Sequence, residues 1–109
     1  MPKMTIVKVI KRKNTLRIFI DDEKVQDADL NVCYLDQVEE LIFQSMAQAC
    51  GFDLQDEDSY MEYCNEFWSV DFFDEENLND TLCNYNVKAV FSGFGKHGVV
   101  KTLFNATHK

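Results

Sequence analysis

The chain has 109 residues, 46% of them hydrophobic, with nine Phe, four Tyr, one Trp and a net charge of −8. That length makes one domain able to bury roughly two thirds of its unfolded surface, and the apolar content excludes wholesale disorder. No segment approaches the roughly 18 consecutive apolar residues of a membrane span, and the opening MPKMTIVKVIKRK, its apolar run broken by Lys8, does not read as a signal peptide. The expectation is a soluble cytoplasmic protein with no membrane partner.

The first element is a strand over Thr5–Lys11, and Arg12-Lys13-Asn14 is the polar turn into a second strand over Leu16–Ile20. In that second run Leu16, Ile18 and Ile20 share one face and Arg17 takes the other. The segment IDDEKV reads as a tight reversal into a short third strand around Lys24–Gln26. From Leu35 to Cys50 apolar residues recur at 35, 38, 42, 46 and 49, a helical repeat closed by Gly51. Asp36, Glu39 and Glu40 fall in its first turns, where the helix dipole favours them. Glu39 projects on the apolar side, so either a sheet residue such as Arg17 pairs with it or its place near the helix start lets it reach water, with pairing the preferred expectation.

Ser59-Tyr60-Met61-Glu62 matches a capping box and opens a second helix ending near Ser69 or Val70. On it Tyr60, Met61, Tyr63, Cys64, Phe67 and Trp68 fill one arc of about 160°. Asp74–Cys83 is a short third helix or an ordered loop. Val87–Phe94 and Val99–Phe104 read as two closing strands around a Gly95-Lys96-His97-Gly98 hairpin. The fold class is therefore α+β: an antiparallel sheet of four to five strands from both termini, with two or three central helices on one face (ββ(β)-αα-ββ).

Charge is segregated along this order. All 19 acidic residues lie between Asp21 and Asp80, with Lys24 the only base among them. Residues 1–20 and 83–109 carry bases and no acid, and Val25–Val87 contains no Lys, Arg or His. Such self-repulsion destabilises a compact state while building a directional field. The candidate partner-binding residues are Asp56, Glu57, Asp58, Glu62, Glu66, Asp74, Glu75 and Glu76, a carboxylate strip bordered by aromatics. Among the rings, Tyr63, Trp68 and Phe73 are candidates for exposed anchors, with the core favoured for Trp68 and assigned to Phe67. A solvated helical face is the plainer alternative, but it would not need to exclude every Lys.

Catalysis finds little footing. His97 sits in a turn and His108 next to the end, so no Cys–His pair is held in place. Cys33, Cys50, Cys64 and Cys83 lack the close spacing of zinc ligands and read as four reduced thiols acting as small apolar side chains. Asp56, Glu57 and Asp58 lack the glycine and ligand spacing of a calcium loop. No cofactor and no metal is expected. Gly93-Phe94-Gly95-Lys96-His97-Gly98-Val99-Val100 resembles the nucleotide-covering loop of protein kinases over eight residues. The lysine, catalytic loop and metal-binding motif of that family are missing, so a hairpin tip is expected. A dinucleotide fold is set aside because a β-branched run, in place of a helix, follows the glycines.

By size, charge and missing catalytic motifs the chain resembles the small acidic inhibitors of phages and mobile elements, including DNA-mimicking anti-CRISPR and anti-restriction proteins. That resemblance implies a non-enzymatic inhibitor whose carboxylates occupy the basic surface of a nucleic-acid-binding effector or nuclease in the host cytoplasm. An immunity protein against a cationic toxin would share the acidic surface. A third reading is a nucleic-acid-binding module using Lys8, Lys11, Arg12, Lys13, Arg17 and Lys101, which the net charge opposes.

Overall fold

The computed structural model describes residues 3–107; Met1, Pro2, His108 and Lys109 lie outside the described residues. Three strands, β1 (Thr5–Arg12), β2 (Thr15–Ile20) and β3 (Glu23–Asp29), form an antiparallel meander. The chain then builds α1 (Leu35–Cys50), α2 (Glu57–Glu66) and α3 (Glu75–Leu82), makes one 3-10 turn at Cys83–Tyr85, and returns as β4 (Val87–Ser92). It closes on α4 (Val99–Thr107). The sheet order is β3-β2-β1-β4, with β4 parallel to β1. The α+β class, the four strands drawn from both ends of the chain and the central helices are as the sequence predicts.

One sheet face carries the core. Val7 and Val9 of β1, Leu16 and Ile18 of β2, Ala28 of β3, and Val87 and Ala89 of β4 are buried against Leu30, Val38, Ile42, Met46, Leu78 and Leu82. The opposite face is uncovered, and register places Lys8 beside Phe19 and Val90, and Ile10 beside Arg17 and Ser92. Asp21 and Asp22 both take positive φ, the backbone of a two-residue hairpin turn that follows the sheet's twist. In β3 the register slips opposite Ile18/Phe19, leaving Val25 as a bulged residue.

Each end of α1 has its own closure. The Gln37 side chain accepts from the Tyr34 N–H at 2.7 Å. At the other end Gly51 turns left-handed at φ 88°, and the Phe52 N–H reaches back to the Ala47 carbonyl at 2.9 Å. The second helix starts earlier than the capping box predicts. Its N-cap is Asp56, whose carboxylate accepts from the Asp58 N–H, while the Ser59 hydroxyl accepts from the Asp53 N–H at 2.9 Å. It also ends earlier, at Glu66.

Two features near the C-terminus correct the sequence reading. The expected strand Val99–Phe104 is the helix α4, so Gly95–Gly98 is a strand-to-helix loop, and β4 runs parallel to β1, so the sheet is mixed where an antiparallel one is expected. β-branched residues signal strand, but Val99, Leu103 and Ala106 fall at helical spacing and all three pack on the core. The Thr102 hydroxyl bonds the Gly98 carbonyl four residues back and also the Phe94 carbonyl, which fits a Thr into a helix. The ground for setting aside a dinucleotide loop therefore fails, because a helix does follow the glycines. The structural reason for Gly93 replaces it: at φ 86°, a Cβ there would stand 1.9 Å from the Lys11 carbonyl oxygen.

The outer edge of β4 is closed by side chains. Asn79 of α3 donates to the Ala89 carbonyl at 3.0 Å and accepts from the Ala89 N–H at 2.7 Å. Glu75 accepts from the Phe91 N–H at 3.2 Å. A side-chain amide thus takes the place of a fifth strand and removes an edge that could recruit another chain. At the other edge β3 exposes Glu23, Lys24, Asp27 and Asp29, charges that deter strand addition.

Gly93→Ala should lower stability by at least roughly 3 kcal/mol, because backbone must move and φ must leave the left-handed region. Gly95→Ala, with nothing within 4 Å of its Cβ, pays only for its positive φ, about 1–2 kcal/mol. Urea midpoints of the two variants measure this; equal shifts would contradict the packing of Gly93 on Lys11.

Candidate functional site

The acidic segment is the connection that covers the core face of the sheet, so its carboxylates line the outside of the molecule. Asp56, Glu57, Asp58, Glu62, Glu66, Asp74, Glu75 and Glu76 are all exposed. Among the described residues the ion pairs are Lys8–Asp22 (3.0 Å), Lys24–Asp27 (3.0 Å) and Arg17–Asp27 (3.8 Å), all within the sheet. No carboxylate from Asp36 to Asp80 is in one. Hydrogen bonds from Lys8 and Lys24, foremost, hold Asp22 and Asp27 below the usual carboxylate range.

The predicted strip resolves into two groups on two helices that make no extensive contact with each other. Several of its members have structural duties. Asp56 caps α2, Asp74 caps α3 through the Asn77 N–H, and Glu75 ties α3 to β4. Glu57, Asp58 and Glu76 lie in first turns, where a negative charge is favoured by about 0.3–1 kcal/mol.

Glu62 caps no helix, and the local contact of Glu66 is a hydrogen bond with the Tyr85 hydroxyl, not a helix cap. Asp58, Glu62 and Glu66 stand at i, i+4 and i+8, a row about 12 Å long on one face of α2. Like charges at that spacing cost roughly 0.2–0.5 kcal/mol per pair. Glu66 also ends the helix, where the dipole opposes a carboxylate, and no base sits in that turn. Burial first, then the negative charges of Glu66 and Glu62, raise the Tyr85 phenol above its ordinary value.

The aromatics divide differently from the sequence expectation. Tyr63 is fully buried: its ring lies 4.7 Å from both Phe43 and Phe67 and 5.1 Å from Phe52, and its hydroxyl donates to the Phe43 carbonyl at 2.6 Å. Burial drives its phenol pKa far upward and pushes the neighbouring Cys50 thiol up to about 12. Phe73 is buried too, showing only an edge. Neither ring serves as an exposed anchor. Trp68, favoured for the core, is 87% exposed. The helical arc cannot be extended to it because α2 ends at Glu66, with Phe67 already at φ −108°.

These rings create a groove that the sequence does not announce. No Cα of α2 comes into extensive proximity with another element. The helix is held at a distance by the ring stack of Tyr63, Phe67, Phe43 and Phe72. The gap left beside α1 is a cavity of about 410 Å³ lined by Phe43, Tyr60, Trp68, Phe72, Glu39 and Glu40 among others. Glu39 also lines a neighbouring cavity with Tyr34, Leu35, Phe73 and Phe104. It is exposed and makes no pairing with Arg17, which lies on the other sheet face beside Asp27. The only sequence signal for this groove is the anomalous angle of Glu39.

The basic set is less coherent than a phosphate-binding face requires. Lys8 and Arg17 are in ion pairs, Lys11 donates to the Lys13 carbonyl, and Lys101 is on α4 instead of the sheet. Arg12, Lys13 and Arg17 gather at the β1–β2 turn. All four cysteines are free; Cys83 is exposed, unlike the half-buried other three, and so departs from the apolar role expected of it. No helix among the described residues is long and apolar enough to cross a membrane. No protein-family model, no curated protein and no solved structure matches the chain.

Trp68→Ala should change stability by less than about 1 kcal/mol, against the 3–5 kcal/mol typical of a core Trp. Urea unfolding followed by far-UV circular dichroism measures this, and a core-sized loss would contradict the exposed position.

Proposed function

We propose that the protein is a non-enzymatic inhibitor that docks its carboxylates on the basic surface of a nucleic-acid-binding protein and blocks it, as DNA-mimicking anti-CRISPR and anti-restriction proteins do. The observation that carries this reading is the row Asp58-Glu62-Glu66. Among the described residues Glu62 and Glu66 have no cation partner and no favourable helix end, and apart from the hydrogen bond between the Tyr85 hydroxyl and Glu66 no local contact offsets the repulsion along the row. Residues four apart on α2 rise about 6 Å along its axis, so Asp58, Glu62 and Glu66 make a regular row of negative charge, the kind of ligand that Lys- and Arg-lined clefts are built to hold. Long-range attraction between such surfaces raises the association rate and falls steeply with salt. The bound state needs no cofactor or metal, and its setting is the cytoplasm of the host cell.

Affinity capture from host lysate tests it, with the wild type and Glu62→Lys/Glu66→Lys side by side. The wild type should retain a nucleic-acid-binding protein that added DNA displaces and that roughly 0.5 M salt releases. The charge-reversed variant, equally stable or more so, should retain at least tenfold less. Undiminished capture by that variant, or a captured partner that DNA does not displace, would overturn the reading.

A further inference from the structure

The cavity between α1 and α2 has the composition of a cation seat. It is lined by Phe43, Tyr60, Trp68 and Phe72 together with Glu39 and Glu40 of α1. An exposed Trp beside two carboxylates that no cation neutralises is incomplete as a surface: the indole face and the charges both call for a partner, and one side chain can satisfy both. A volume of about 410 Å³ is within the range of sites that enclose a side-chain-sized ligand. One Glu40 oxygen accepts from the Gln44 amide at 3.2 Å and the other is left over, while Glu39 forms no hydrogen bond or ion pair among the described residues.

We propose that this cavity seats an arginine side chain of the basic protein on which the surface docks. The inference rests on the reading that the partner is basic, and adds where one of its cations goes. Arginine fits better than lysine on geometry. A planar guanidinium can stack on an aromatic ring while its in-plane N–H groups bond a carboxylate, whereas an ammonium is a hydrated point charge with no plane to stack. An apolar side chain would satisfy the rings and leave the carboxylates unanswered. The Tyr60 phenol is raised further above its ordinary value, first by its hydrogen bond with Cys64. Aromatic packing that holds α2 away from α1 fixes the Phe43, Tyr60 and Phe72 side of the seat before binding.

Trp68 is the single Trp of the chain, so its fluorescence reports on this cavity alone. The probes are acetyl-Gly-Arg-Gly-amide and the same peptide with Lys or Leu in place of Arg, titrated to roughly 20 mM because a lone side chain binds at millimolar strength. The Arg peptide should give a saturable change in emission, the Lys peptide at least a threefold weaker one, and the Leu peptide none below the solubility limit. Glu39→Gln/Glu40→Gln, which keeps side-chain shape and should keep its urea midpoint, should weaken the Arg peptide at least tenfold. Three results would overturn the proposal: equal response to Leu and Arg, unchanged affinity in the double variant, or a concentration-dependent emission change without peptide accompanied by dimer in sedimentation, which would assign the groove to a second copy. The peptide titration involves no partner protein. A silent titration beside intact partner capture rejects the seat alone, and a positive titration beside failed capture rejects the inhibitor reading alone.

Discussion

The pairing of β4 alongside β1, in the same direction, governs the layout of this molecule. Two parallel neighbours cannot be joined by a tight turn; the chain between them must travel across a face of the sheet. Here that traveller is everything from Leu30 to Asn86, following the β2–β3 meander, and it contains fourteen acidic residues and no base. Once it lies on the core face, its polar side has only solvent to face. The lysines and arginines of the strands are left to the uncovered side and to the turns. Charge segregation in space is thus a consequence of topology acting on a sequence already segregated along its length.

Holding that crossover in place takes side-chain chemistry at two points. At β4, Asn79 and Glu75 of α3 satisfy outward backbone groups at Ala89 and Phe91, which fixes α3 to the sheet edge. At α2, contact is made almost wholly by rings, with Tyr63 at the centre and its hydroxyl anchored on Phe43. Large side chains set a wide spacing, and wide spacing leaves a groove. The same packing choice that supports the most acidic helix therefore opens the aromatic cavity beside it.

Much of the fold was legible because the signals were local. Alternation in Leu16–Ile20, the reversal at Asp21-Asp22, the heptad-like repeat of α1 and its Gly51 stop each have one short-range cause, and β1, β2 and α1 fall within a residue of their expected places, while β3 runs three residues beyond its expected end. The last element was not legible, since Val99-Val100 favours strand locally and only burial of Leu103 and Ala106 on the core makes it a helix. The aromatic assignment failed for a related reason. An arc computed at constant pitch assumes that the helix continues, and no glycine or proline between Glu66 and Trp68 says that it stops. The acids of the strip were found by composition, but composition could not tell a cap such as Asp74 from an idle charge such as Glu62; that distinction lives in the positions of helix ends.

A carboxylate surface of this kind requires a fold that tolerates mutual repulsion among its helix-borne anions. Its most direct test is equilibrium urea unfolding of the wild type as sodium chloride rises from about 10 mM to about 300 mM, a range over which the screening length shrinks from roughly 30 Å to under 8 Å. Screening relieves repulsion that is present in the native state and weaker in the expanded one, so the unfolding midpoint should climb with salt. A midpoint that falls with added salt would mean that attractive ion pairs dominate the native electrostatics, and the carboxylate surface described above would not exist in solution.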